Sequence, residues 1–212
     1  MNKEIIPYEL NLLGKKHGTD KFDHGFLSVY DKVFYDLRKA KLNFLEIGIW
    51  EGASMKMWRN YFVNGIIYGA DIEDKYNDPM IAVCNQEHPA ELLNIFKGVE
   101  FDIIIDDGGH TMKQQQITLK TMFQRLKSGG IFVIEDLHTS LYNDFYVDTE
   151  KKFNMKTDET TLTVLKRLKR AESFQTTYIS KEEFNALRQE ISSIEIYYLN
   201  DLDSITGIIS KK

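Results

Sequence analysis

Apolar positions along the chain fall into short runs that alternate with stretches of helical period. Residues 42–48 read as a first strand ending on a glycine turn, and residues 54–61 as a helix with Met55, Trp58 and Tyr61 or Phe62 on one face. Residues 65–71 predict a second strand that ends on an acid, residues 81–84 a short third strand, and residues 89–96 a helix. The run 101–105 is almost continuously apolar, as expected of a strand covered on both faces. Residues 114–126 predict a helix closed by Gly129 and Gly130 as a C-cap, and residues 131–134 a fifth buried strand. Residues 162–171 and 181–191 have helical period. Residues 194–199 and 204–210 read as two closing strands joined by the turn residues Asn200, Asp201, Leu202 and Asp203.

Strands alternating with helices imply parallel βαβ units with right-handed crossovers and helices on both faces of the sheet. The last two strands have too short a connection for a crossover, so their pairing is antiparallel. The expected architecture is an α/β, doubly wound, mostly parallel seven-stranded sheet with an antiparallel final strand. Periodicity alone leaves other doubly wound folds open. Near the N-terminus, Phe34, Tyr35 and Leu37 are expected to pack a helix against the sheet, and Met112 and Met122 are packing positions.

Length and composition narrow this picture. A chain of 212 residues with 42% hydrophobic and 28% charged residues can build a full core, and its three prolines mark no domain seam. One domain, 1–212, is expected: residues 1–40 as a helical cap over the active site, residues 41–212 as the core, with a substrate-facing insertion at about 138–190. Cys84 is the single cysteine, which excludes an internal disulfide and fits a reducing, cytoplasmic setting. The charged start Met1-Asn2-Lys3-Glu4 has no apolar run behind it, so no secretory signal is expected, and no apolar run approaches a membrane span. The formal net charge of -5 disfavours nucleic acid as a partner. The basic stretch Lys166, Arg167, Lys169 and Arg170 reads as the wet face of an amphipathic helix.

The chemistry gathers at strand ends. Glu46-Ile47-Gly48-Ile49-Trp50-Glu51-Gly52 has the form E-x-G-x-x-x-G at the end of the first strand. Gly48 lets the chain turn without a Cβ clash, and Gly52 lets a ligand or the next helix come close. Either Glu46 or Glu51 can serve a cationic α-amino group such as that of S-adenosylmethionine. Asp71, ending the second strand, suits the two hydroxyls of a ribose. Asn85 and Gln86 after the third strand can frame an adenine, or simply a turn.

Asp106-Asp107-Gly108-Gly109-His110 follows the fourth strand and Glu135-Asp136-Leu137-His138 the fifth. In an open α/β sheet both acid pairs lie on the edge that carries Gly48 and Asp71. Four crowded carboxylates repel unless a cation or protons neutralise them, and oxygen ligands select Mg2+ or another hard divalent ion. His110, in a glycine-rich loop, has the titration range of a general base. His138 reads as a structural histidine or a second active-site imidazole. Tyr142, Asn143 and Tyr146 form an aromatic-polar loop that either stacks on a sugar ring or makes a surface turn.

Three segments, 45–54, 102–110 and 133–140, together with Lys16-His17-Gly18-Thr19-Asp20-Lys21, His24-Gly25-Phe26 and Tyr30, resemble the metal-dependent sugar O-methyltransferases of macrolide pathways, the macrocin and mycinamicin type. The resemblance covers most of the chain and fades between about residues 145 and 191. It implies a Rossmann-like class I methyltransferase fold. It implies Mg2+ on Asp107, Glu135 and Asp136, with His110 as base and Asp107 beside it in catalysis. It implies contacts to S-adenosylmethionine from Glu46, Gly48, Glu51, Gly52, Asp71 and Gln86; Asp106 is grouped with these cofactor residues. Thr19, Asp20 and Lys21 are implied to close over cofactor or substrate. Asn85 departs from the Asp often found beside the Gln in that family. An additional N-terminal domain carried by some relatives is expected to be lacking, so assembly is not carried over and a homo-oligomer stays open.

The expected activity is therefore methyl transfer from S-adenosylmethionine to a hydroxyl of a sugar in a glycoconjugate or secondary metabolite. Two other readings stand beside it: transfer to a non-sugar, catechol-like hydroxyl, and a non-catalytic scaffold with the same fold. The partner is a small molecule or glycoside, with neither nucleic acid nor membrane expected.

Overall fold

The computed structural model describes residues 9–73, 75–141, 159–200 and 204–212. The aromatic-polar loop Tyr142, Asn143 and Tyr146, read as either sugar-stacking or a surface turn, and the turn residues 201–203 lie outside the described residues. In chain order the elements are α1 (Glu9–His17), α2 (Phe26–Phe34), β1 (Asn43–Ile47), α3 (Ala53–Tyr61), β2 (Ile66–Asp71), β3 (Ile81–Val83), α4 (Pro89–Ile95), β4 (Phe101–Asp106), α5 (Met112–Met122), β5 (Leu126–Ile134), α6 (Thr161–Lys169), α7 (Lys181–Glu190), β6 (Ile191–Leu199) and β7 (Ser204–Lys211).

The strands form one seven-stranded sheet in the order β3-β2-β1-β4-β5-β7-β6. The pairs among β1 to β5 are parallel, and β7 runs antiparallel to both β5 and β6. This is the expected mixed sheet, with β7 inserted between β5 and β6.

Alternation along each strand feeds two cores. Leu45, Ile47, Ile104, Phe132 and Ile134 pack under α4, α5, α6 and α7. Phe44, Ile67, Ile103, Ile105 and Val133 face α1, α2 and α3 on the other side. A strand buried on both faces must be apolar at consecutive positions, which is why β4 reads as a run rather than an alternation. On the second face Phe44 lies 4.9 Å from Trp58 and 5.3 Å from Phe62, ring centre to ring centre. The basic side chains of α6 stand over a buried Leu162, Val164, Leu165 and Leu168, as the amphipathic reading requires.

The largest departures from the expected boundaries lie at the α5–β5 passage and at the start of β6. α5 stops at Met122 and passes through a single 3-10 turn, Phe123–Arg125, directly into β5. Gly129 and Gly130 therefore lie within β5 rather than capping a helix. The register jumps there, from Phe101 opposite Leu126 to Ile103 opposite Ile131, and Gly129 takes a left-handed φ of 74°. Gly129 serves this three-residue excursion of β5, which needs the same backbone freedom as a C-cap. β6 begins three residues early, at Ile191, because Ile191 pairs with Lys211 and the amide of Lys212 donates to the carbonyl of Glu190 at 2.8 Å.

No helix among the described residues is long and apolar enough to cross a membrane. The substitution Phe44→Ala is expected to cost about 3–5 kcal/mol, read as a lower urea midpoint with an unchanged m value.

Candidate active site

The parallel strands β1, β2, β4 and β5 all end on one edge of the sheet, where the loops that follow them enclose a cleft of about 600 Å³. Gly18, Thr19 and Asp20, which follow α1, supply part of its wall.

The turn after β1 is set by backbone contact. Gly48 has a φ of 88°, and a Cβ there would lie 2.0 Å from the Asp107 carbonyl oxygen. The amide of Gly48 donates to Ala70 O, and that of Asp107 to Ile47 O, both at 2.8 Å, so the tips of β1, β2 and β4 are tied together. Asp71 reinforces the tie: its Oδ2 accepts from the amides of Ile49 at 2.7 Å and Trp50 at 3.2 Å, and its Oδ1 from Glu73 at 2.9 Å. Tyr76 donates to the Trp50 carbonyl. Trp50 has a φ of 47° and its indole is 64% exposed beside this turn.

Gln86 is buried and pins the loop after β4. Its Nε2 donates to Asp106 Oδ1 at 3.0 Å and Thr118 Oγ1 at 2.9 Å, while its Oε1 accepts from the Gly109 amide at 2.6 Å. Asp106 lies behind the cleft wall, and burial pushes its carboxyl up to about 8. α5 then starts at a capping box, in which Thr111 Oγ1 accepts from the amide of Gln114 and Gln114 Oε1 accepts from the amide of Thr111.

The two acid pairs behave differently. Asp136 takes a φ of 53°, an uncommon value for a residue with a Cβ. This twist turns Asp136 to the cleft while Glu135 points inward. The twist is held by Thr139, whose hydroxyl donates to the carbonyls of both Asp136 and His110 at 2.9 Å. One ligand atom each of Asp107, His110 and Asp136 lies within 4.8 Å of the others, at the cleft. His110 Nε2 is 3.3 Å from Asp136 Oδ2, and His138 Nδ1 is 3.6 Å from Asp136 Oδ1. Burial lowers the proton affinity of the His110 imidazole against the opposing pull of Asp136.

Glu135 is 1% exposed, and its Oε2 lies 3.0 Å from the ammonium of Lys21. The same ammonium contacts Asp107 Oδ2 and lies 3.2 Å from Glu46 Oε1. Burial disfavours charge on Lys21, but Asp107, Glu135 and Glu46 outweigh it and hold the amine well above its ordinary range. Burial pushes Glu135 up, repulsion from Asp107 adds to this, and Lys21 opposes it.

Gly48, Glu51, Asp71, Gln86, Thr19, Asp107, His110 and Asp136 thus share one cleft. Glu46, Gly52, Asp106 and Glu135 are not on its wall. Of the two acids offered for a cationic ligand, Glu51 faces the cleft. Glu46 is fully buried and accepts from Ser54 Oγ at 2.7 Å and Trp58 Nε1 at 3.1 Å. The sequence reading placed Lys21 only in a closing segment and missed it as the buried partner of three acids. The crowding of carboxylates was its one signal. Thr139 carried none, whereas Thr111 and Gln114 stand at the T-x-x-Q spacing of a capping box, a signal left unused.

No family model matches the chain. Over 174 residues it is 34% identical to demethylmacrocin O-methyltransferase of Streptomyces fradiae, a match covering 76% of this chain and 43% of that protein. Over 146 residues it is 35% identical to 8-demethyl-8-alpha-L-rhamnosyl tetracenomycin-C 2'-O-methyltransferase of Streptomyces olivaceus, covering 63% and 39%. The chain spans about two-fifths of the length of these curated relatives. The structure of the MycE methyltransferase from the mycinamycin biosynthetic pathway, in complex with Mg, SAH and mycinamycin VI, matches with a TM-score of 0.75 and 27% identity, over 96% of this chain and 54% of that one.

Gly48→Ala is expected to cost about 2 kcal/mol or more, because clash adds to backbone strain. Gly18→Ala has a φ of 73° but no atom within 4 Å of the added Cβ, and is expected to cost only the strain, about 1–2 kcal/mol. Thermal unfolding of the two variants separates the contributions. The chain has the Rossmann-like fold of class I methyltransferases, and in sequence and structure it resembles the metal-dependent macrocin- and mycinamicin-type sugar O-methyltransferases.

Proposed function

We propose that this chain transfers a methyl group from S-adenosylmethionine to a sugar hydroxyl of a glycoside, with a hard divalent cation at Asp107 and Asp136. The observation that carries the reading is the meeting of Asp107, His110 and Asp136 on the cleft that also holds Gly48, Glu51 and Asp71. A cation fits the donor set: Asp136 Oδ1 and Glu135 Oε1 are buried and accept no hydrogen bond among the described residues. Asp107 and Asp136 would hold the ion, with Glu135 behind them. Bound there, Mg2+ would make an acceptor hydroxyl more acidic.

The remaining work belongs to the chain's own residues. His110, disfavoured as a cation by burial, accepts the hydroxyl proton. Asp136 Oδ2, 3.3 Å away, favours the imidazolium so formed. Thr139 and the α5 capping box fix the loop that carries His110. Asp71, already oriented by two loop amides, receives the ribose, and Glu51 the α-ammonium. Gln86 acts through the loop it pins, and Asp106 and Gly52 act behind the wall. Gly18, Thr19 and Asp20 on the cleft wall support residues 1–40 as a cap, over a core of 41–212 with an acceptor-facing insertion at about 138–190. A glycoside partner and a cytoplasmic setting complete the reading.

Product analysis on a panel of glycosides and catechols tests it. Methylation of a sugar hydroxyl is expected, lost on chelation and restored by Mg2+; methylation of catechols alone overturns the sugar assignment. His110→Ala is expected to lower kcat by about 100-fold or more while S-adenosylmethionine binding, measured by calorimetry, is retained. Asp136→Asn is expected to weaken Mg2+ binding by about 10-fold or more; unchanged binding removes Asp136 from the ion site.

A further inference from the structure

Lys21 does something that the proposed chemistry leaves unused. It sits in the short 3-10 turn Asp20–Phe22, directly after the cleft-lining residues Thr19 and Asp20, and is 1% exposed. Its ammonium meets carboxylates from the ends of three neighbouring strands: Glu46 from β1, Asp107 following β4 and Glu135 following β5. An ammonium is a compact point charge with three donors, and here one donor is available for each acid.

The three acids are not equivalent. Glu46 is sealed inside by Ser54 and Trp58 and has no face on the cleft. Glu135 gives one oxygen to Lys21, and its other oxygen, Oε1, is buried without a hydrogen-bond partner. Asp107 belongs to two centres at once. It contacts Lys21, and it also offers a ligand atom to the cluster with His110 and Asp136. Three carboxylates around one ammonium leave an excess of negative charge that Lys21 alone does not balance.

We infer that Lys21 is a built-in competitor for the divalent cation. Its ammonium occupies the inner side of the ion site, and cation binding and the Lys21 contacts to Asp107 and Glu135 exclude one another. The inference rests on the proposed cation site and adds to it a residue that sets the site's affinity. Entry of the ion would draw Asp107, and Glu135 behind it, away from Lys21. Lys21 keeps Glu46, and the turn that carries it shifts along with Thr19 and Asp20 on the wall. By linkage, whatever holds that wall segment changes ion affinity by the factor with which the ion changes the segment.

The test measures ion binding alone, on the full chain, with Mn2+ as the probe followed by electron paramagnetic resonance and calorimetry. Lys21→Met removes the ammonium but leaves three buried acids unopposed, which threatens folding. The double variant Lys21→Met with Glu46→Gln removes one charge of each sign, so the net charge of the cluster is unchanged. A general field effect would then leave affinity where it was. Competition instead predicts Mn2+ binding tighter than in the unaltered chain by at least about 5-fold, and Lys21→Arg, which keeps the cation, holds affinity near the starting value. Equal or weaker binding by the folded double variant, judged by circular dichroism, overturns the competition while leaving the cation site standing. Absence of Mn2+ binding by every form overturns the site itself.

Discussion

Negative charge gathered at one edge of the sheet is the constraint around which this molecule is organised. Parallel strands must all finish on the same side, so acids at the ends of β1, β2, β4 and β5 are brought together by topology before any local preference acts. Two like charges 4 Å apart repel by about 4 kcal/mol at an effective dielectric near 20. Opposition on that scale, repeated across several pairs, rivals the net stability of a whole domain. The fold answers in three ways. Asp71 is surrounded by amides, Asp106 is pushed toward its protonated form by burial, and Lys21 is drawn into the interior.

These answers shape the cleft. Amides hold the inner side of Asp71 and an ammonium that of Asp107, which leaves both on the wall of the cleft. Asp136 differs: among the described residues its ionic neighbours are the imidazoles of His110 and His138. Its left-handed backbone is a local cost, of the order of 1–3 kcal/mol for such strain. Thr139 and the loop hydrogen bonds hold it in place.

The architecture was legible because each buried strand leaves an unmistakable trace. β1, β4 and the inner half of β5 are apolar at successive positions, and the acids stand directly at their ends. The helix-to-strand passage at residues 122–131 was not legible, because two adjacent glycines signal backbone freedom without saying whether a cap or an excursion of the strand uses it. At the cleft, Gly48, Asp71, Asp107 and Asp136 were found from position alone. The inward turn of Glu135 and the sealing of Glu46 were not, since both depend on packing partners: Lys21, far away in the chain, for one, and Ser54 and Trp58 of the following helix for the other. A lysine in a loop of polar residues has no periodicity to mark it as interior. Only the arithmetic of charge at the strand ends hinted that an internal cation was required.

The contact between Gly48 and the peptide of Asp107 has a consequence for how such a molecule can diverge. Two strand tips that are separated by a full βαβ-βα excursion in the chain share one atom's width of space. Neither loop can be redrawn independently. A lineage that lost the glycine would have to rebuild the turn bearing the acid in the same step, and loop grafts between homologues would need to exchange both segments as a pair.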